Sequence, residues 1–303
     1  MANLKSIKSK ILSYKKTGTV THAMEAVSAV KMRKGQERAL SGRAYAAAAL
    51  SVMERLSGTA DLSRHSLMQE REGKIALIVI TSDKGLAGSL NSGVVRKAER
   101  EAGISKDKTI VFAIGRRGGE YFSSRGYDVR MRLQNVSDSV SESDMREVTD
   151  KVLELHEAGE ITKCAVVYQN FISTFEQEPT VRNIIPVRPE AMRKVVEGIR
   201  PAKGKYAPQK GGEKVHAPAS YTVEPDTDSV LSVLLPKLIN IAVFHALLEN
   251  KASEHSARMV AMKSATDKAK EMAHNLTRTF NKVRQAAITR EVSEITSGIE
   301  AMK

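Results

Sequence analysis

No tryptophan occurs among the 303 residues, and aromatic side chains make up only 4% of them. A chain organised around one compact core would hold more. Long helices packed through narrow seams of Ala, Met, Leu and Ile would hold about this few. There is a single cysteine, Cys164 in KCAVVY. No disulfide forms within the chain, and one thiol builds no zinc site, so a small buried residue in a reduced compartment is expected. The seven histidines are scattered, with no pair four residues apart. Neither H-E-x-x-H nor a Cys/His cluster exists, and no metal site is expected. A G-x-S-x-G elbow is also missing. No apolar run approaches the roughly 18 residues of a membrane span. The longest candidate, LINIAVFHALL, is interrupted by Asn240 and His245. The start MANLKSIKSKIL lacks a signal core and a cleavage pattern, so a soluble or peripheral protein is expected.

What is abundant is positive charge, unevenly spread. The net charge is +13. Residues 1–57 carry eleven basic and three acidic side chains, and residues 188–217 carry eight and three. Residues 228–303 carry eleven and eight, while the rest of the chain is slightly negative. Nucleic acid, anionic lipid or an acidic protein would each answer to such ends. The basic residues are not interleaved with stacking aromatics and match no nucleic-acid signature. A solvated helix face explains most of them.

Both ends read as long helices. Over 1–57 an apolar seam runs Leu4, Ile7, Ile11, Tyr14, then Val20, Met24, Val27, Val30, then Leu40, Ala44, Ala48, Val52. Gly18, Gly35 and Gly42 mark possible bends, each costing about 1 kcal/mol relative to Ala. Over 226–303 a second seam runs Ala265, Ala269, Met272, Leu276, Phe280, Val283, Ala287. It slips by one to Ile288 and continues through Val292, Ile295, Ile299 and Met302. Pro236 marks a kink or the true start. Lengths well beyond about 25 residues point to a coiled coil.

The middle, 74–187, alternates strands with helices. Strands are expected at 74–81, 108–114, 128–133, 163–172 and 179–187, the last two as a hairpin, and helices at 89–102 and 141–160. This predicts a mostly parallel, Rossmann-like α/β domain. Residues 186–225 hold six of the eight prolines. A basic, flexible linker or insertion is expected over 188–225. Two terminal helices around one α/β domain predict an antiparallel coiled coil. At about 1.5 Å per residue the second helix outruns the first by about 30 Å.

TSDKGLAGSLN (81–91) lies between a strand and a helix, where phosphate loops sit. It lacks the Gly-Lys-Ser/Thr ending, and G-x-G-x-x-G is absent, so plain strand-to-helix turns are the better reading. GRRGG (115–119) is no stronger.

Three segments together resemble one family: VTHAMEAVSAVKMRKGQERA (20–39), ASEHSARMVAMKSATDKA (252–269) and FNKVRQAAITREVSEITSGIEA (280–301). They are similar to the γ subunit of F-type (F1Fo) ATP synthases, bacterial type, as is the 81–91 loop. The resemblance spans essentially the whole chain in order. It implies a central rotor shaft whose terminal helices fill an α3β3 hexamer and whose foot meets the c-ring and the ε subunit. Rotation would carry the three β sites through proton-driven ATP synthesis, or ATP-driven proton pumping in reverse. The chain itself would be non-catalytic and bind no cofactor or metal, with Mg-ATP and ADP held on α and β. Location would be peripheral, on the cytoplasmic face of the inner membrane, without nucleic acid. The start without a transit peptide favours a bacterium.

The resemblance also implies roles. Met24, Arg33, Lys34, Arg284 and Gln285 would contact β, with the Arg284 fork suited to gripping a carboxylate. Thr289, Glu291 and Glu294 would affect coupling. Val292, Ile295, Ile299 and Met302 would form a bearing tip. The 188–222 segment looks longer and more basic than is usual in the family. With Cys164 alone, the redox cysteine pair of plastid members is missing. Two other readings stand beside this one: a nucleotide-binding α/β enzyme with helical arms, and a basic coiled-coil nucleic-acid binder.

Overall fold

The computed structural model describes residues 2–59, 65–101, 104–198 and 226–302. The elements are helices α1 (Ala2–Ser41) and α2 (Arg43–Thr59), strand β1 (Lys74–Ile80), α3 (Leu90–Glu101), β2 (Thr109–Ile114), α4 (Arg116–Ser124), β3 (Asp128–Leu133), α5 (Glu142–Glu157), β4 (Ile161–Phe171), β5 (Gln177–Ile185), α6 (Pro189–Gly198) and α7 (Thr227–Ala301). The chain divides into two compact units: Met1–Ser28 with Met259–Lys303, and Ala29–Arg258.

The larger unit is built on a five-stranded sheet of order β3-β2-β1-β4-β5. The first four strands are parallel and β5 is an antiparallel edge. β1 is KIALIVI, an unbroken apolar run, because a parallel strand is covered on both faces. On one face Leu77, Val79, Val111 and Val167 pack on α3 and α4 through Val94, Ala98 and Phe122. On the other, Ile78, Ile80, Phe112, Val166 and Tyr168 meet Leu50 and Met53 of α2, Met145 and Val152 of α5, and Leu235, Ile239 and Leu247 of α7. Strand order reverses beside β1, which makes the Rossmann-like switch point.

From Leu238 to Arg258 every residue of α7 is buried or half-buried. A helix covered all round belongs to a core. One stretch of α7 is apolar enough to cross a membrane by composition, and 61% of it is buried inside the chain. Gly35 brings α1 close to this stretch, where an added Cβ would lie 3.5 Å from the Ala252 Cα.

The smaller unit is a helix pair. Gly18 faces Ala269, with 3.6 Å between an added Cβ and the Ala269 Cβ. Thr21 Oγ1 and Thr266 Oγ1 share a buried 2.6 Å hydrogen bond. One helix advances three residues as the other retreats three, so the pair is antiparallel, as the seams predict.

Four expectations change. The N-terminal helix is not continuous over 1–57: it breaks at Gly42, the residue with the least intrinsic preference for helix short of proline. The α1 seam does not run through Val20, Val27 and Val30, which are all more than half exposed. Gly18, Thr21, Ser28 and Met32 are buried instead. Small side chains let the backbones approach, and the hydroxyls bond within their own helix, Thr21 to the Thr17 carbonyl and Ser28 to the Met24 carbonyl. Pro236 neither starts nor ends α7, which begins at Thr227. Asp226 caps that start, accepting the Ser229 N–H at 2.8 Å, and burial of Leu235 and Leu238 holds the helix across the proline. Finally, the first part of the expected 188–225 linker is folded. Proline at the first helical position opens α6, Met192 is buried, and Arg193 pairs with Glu54 at 2.7 Å. Residues 199–225 lie outside the described residues.

Candidate functional site

In the helix pair, α7 is covered only as far as α1 reaches. Carrying the Gly18–Ala269 register back to Ala2 brings the start of α1 level with Gln285. Beyond Ala287 every described residue of α7 is exposed. The overhang, 286–302, is about 25 Å long at 1.5 Å per residue. It holds Ile288, Val292, Ile295, Ile299 and Met302 on one stripe, 52% to 89% exposed. The overhang stays helical, with Thr289 Oγ1 donating to the Gln285 carbonyl at 3.0 Å and Thr296 Oγ1 to the Val292 carbonyl at 2.6 Å. A stripe of this kind, unlike scattered surface hydrophobes, marks a contact surface.

Arg284 and Gln285 lie exposed at the root of the stripe, where α1 ends its cover. Among the described residues Arg284 makes no ion pair, so its planar fork faces solvent. Thr289, Glu291 and Glu294 are exposed on the overhang itself. Met24 is half-buried on α1 in the same unit. In the shared register it stands about 30 Å along the axis from Arg284. Arg33 and Lys34 are exposed and belong to the Ala29–Arg258 unit. The candidate residues therefore form stations along helices. They do not converge on a pocket with nucleophile, base and acid, and such an arrangement suits contact with other proteins.

A second feature has no signal in the sequence. Asp138, in the loop between β3 and α5, accepts hydrogen bonds from Lys31 Nζ of α1 at 2.8 Å and from the His255 ring of α7 at 3.0 Å. Lys251 Nζ stands 3.7 Å away. Arg38 donates to the carbonyls of Asp138 and Ser139. The His255 hydrogen bond, then Lys31, holds the Asp138 carboxyl well below the usual range against the opposing effect of burial. Nearby on α7, Arg258 bonds Glu254 at 2.7 Å and the Gly85 carbonyl at 3.3 Å, and Ser256 donates to the Thr174 carbonyl. Loops at the ends of β1, β3 and β4 are thus pinned to the long helices. Asp138 sits in a serine-rich loop more than a hundred residues from its histidine, so no local motif announces it.

The 81–91 loop is filled by the chain's own groups. Asp83 Oδ1 accepts the Arg116 N–H at the start of α4 at 2.9 Å, and Thr81 Oγ1 accepts the Gly118 N–H at 2.8 Å. Asn91 Oδ1 accepts the Ser82 N–H at 2.9 Å. Gly115 has φ 95°, and any Cβ there would strike the Thr81 carbonyl. The donors a phosphate would need at α4 are taken by the Asp83 carboxylate, the Ser82 carbonyl and the Thr81 hydroxyl, which favours plain turns over a nucleotide site.

A family model described as ATP synthase matches residues 3–302. The ATP synthase gamma chain of Heliobacterium modesticaldum is 37% identical over 303 residues, covering 100% of both chains. That of Pelotomaculum thermopropionicum is 36% identical over 304 residues, again covering 100% of both. Among solved structures, a chain of the Euglena gracilis mitochondrial ATP synthase rotor matches with a TM-score of 0.62 at 17% identity, covering 95% of this chain and 99% of that one. A chain of the same organism's OSCP/F1/c-ring assembly matches with a TM-score of 0.65 at 18% identity, covering 99% and 95%. At those identities the likeness shows the fold.

Proposed function

The chain belongs to the ATP synthase gamma-chain family, and we propose that it is the central rotor shaft of a bacterial-type F1Fo enzyme. The observation that carries this reading is the apolar overhang of α7. Hydrophobic contact is non-directional. A stripe of Val292, Ile295, Ile299 and Met302 inside an apolar sleeve can therefore turn without breaking specific bonds. Covering the five side chains, which are 52% to 89% exposed, would contribute on the order of 5 kcal/mol. Arg284 and Gln285, by contrast, make directional bonds, and at the root of the bearing they would grip one β subunit at a time. Met24, Arg33 and Lys34 add contacts to acidic β loops farther along. Thr289, Glu291 and Glu294 tune coupling from the overhang.

The sleeve is an α3β3 hexamer, and the foot meets the c-ring and ε. The Asp138 cluster suits this role, since a twist applied to the α/β loops reaches α1 and α7 together. The chain carries no catalytic group of its own, and Mg-ATP and ADP bind α and β. The complex is membrane-associated, with this chain peripheral on the cytoplasmic face. Coexpression with α and β tests the reading: a stoichiometric complex that hydrolyses ATP is expected. Arg284→Ala should weaken assembly by about tenfold, the scale of one charge-assisted hydrogen bond. If the assembled variant turns over and pumps protons normally, the gripping role of Arg284 is wrong. Micromolar ATP binding by the isolated chain, or steeply salt-dependent DNA binding, would favour the other two readings.

A further inference from the structure

We propose that Glu249, His245, Arg182 and Tyr168 form a pH-sensitive latch between α7 and the β4–β5 hairpin. All four lie inside the Ala29–Arg258 unit, where α7 crosses the antiparallel edge of the sheet. Glu249, His245 and Tyr168 are 4%, 4% and 0% exposed. Their polar atoms stand at ion-pair distances, too far apart for well-formed hydrogen bonds. Arg182 Nη2 is 3.8 Å from Glu249 Oε2, and His245 Nδ1 is 3.6 Å from Glu249 Oε1. The Arg182 guanidinium lies 5.2 Å from the centre of the Tyr168 ring. Among the described residues, both His245 ring nitrogens, the Tyr168 hydroxyl, Glu249 Oε2 and Arg182 Nη1 have no hydrogen-bond partner. The backbone around them is held: Asn250 Oδ1 accepts the Gln169 N–H at 3.1 Å, and Ser253 Oγ donates to the Gln169 carbonyl at 3.0 Å.

Buried polar atoms left unpaired cost free energy, and small side-chain rotations pair these in two different ways. With Glu249 protonated, its O–H donates to His245 Nδ1, and Arg182 turns into the open cleft it lines with Lys163, Thr180 and Asn183. With the proton released to solvent, the carboxylate draws Arg182 inward and accepts from it. The Arg182 side chain is 18% exposed, so it already stands between the two positions. Among the described residues, the charged and titratable groups facing Glu249 are His245 from α7, Tyr168 from β4 and Arg182 from β5. Burial pushes the Glu249 carboxyl up to about 7, with Arg182 and then the Tyr168 hydroxyl opposing. Burial pushes His245 down to about 3, so its ring stays neutral and free to accept. Because the folded carboxyl titrates higher than the unfolded one at 4.5, its contribution to stability is full below 4.5 and is lost as pH rises through about 7.

The test is the thermal midpoint of the full chain and of Glu249→Gln at about pH 5.5 and about pH 8.5. Wild type should lose about 5 °C more than the variant on going to the higher pH. Parallel curves would overturn the proposal. Should the variant fail to fold, infrared spectra of the wild type decide. A protonated-carboxyl band that fades as pH rises through neutrality supports the latch, and a spectrum without such a band on the acid side sinks it.

Discussion

The two halves of α7 use the same kind of sequence to opposite ends. Between Leu238 and Arg258 the helix is covered on every side, and its polar residues are fastened to particular partners: Asn240 to Thr149 of α5, Ser253 to Gln169 of β4, His255 to Asp138 in the β3–α5 loop. Beyond Ala287 the helix keeps an apolar stripe and charged flanks, and every described residue there is exposed. Burial alone separates a segment that holds the fold from one available to other chains. The difference is legible in substitution costs before any partner is added.

The largest effect should come from the covered half. Leu247→Ala, at a buried position, should cost about 2–5 kcal/mol of unfolding free energy in denaturant titration. Ile295→Ala on the overhang should change that stability by less than about 0.5 kcal/mol. Equal costs would mean the overhang is not free. An intermediate effect is expected at the clamp. Asp138→Asn removes the negative charge that Lys31 and His255 share and one of the two acceptor oxygens, and should cost about 1 kcal/mol once screening of this partly exposed carboxylate is allowed for. Its pH signature has a definite sign. The folded carboxyl titrates below its ordinary 3.8, so its contribution is present above that value and fades as pH falls below it. Acid titrations of the wild type and the variant should therefore converge at low pH. The smallest effect concerns the helix pair. Changing Thr21 and Thr266 together to valine should be nearly neutral, whereas either change alone should cost about 0.5 kcal/mol, because the remaining hydroxyl loses its cross-helix partner but keeps a carbonyl of its own helix. Additive single costs in a double-mutant cycle would show that the pair does not interact.

The α/β alternation was readable because buried parallel strands such as KIALIVI and amphipathic helices have distinct periods, and the stripe on the overhang was readable because its heptads are all large hydrophobes. The seam of α1 was misread for the converse reason. A close antiparallel crossing prefers Gly18, Thr21 and Ser28 over the valines beside them, and hydrophobicity alone ranks those residues as surface. The α6 helix hid within a proline-rich composition, although Pro189 at its first turn favours a helix there. The Asp138 cluster and the Glu249 cluster join residues from several elements, so only the tertiary fold brings them together. Of the candidate site, the four apolar overhang residues share one stripe with Thr289, Glu291 and Glu294 on its flanks, while Met24, Arg33 and Lys34 stand apart from it.

The central claim is that partner subunits cover the α7 overhang. Burial pushes the thiol of Cys164 up to about 12, so a cysteine introduced as Ile295→Cys would be the reactive thiol of the chain. Its rate of maleimide labelling should be that of an open helix in the isolated chain and fall more than about tenfold on assembly with α and β, as contact excludes solvent. An unchanged rate in a stoichiometric, ATP-hydrolysing complex would show that the stripe stays bare and that the shaft turns without a bearing there.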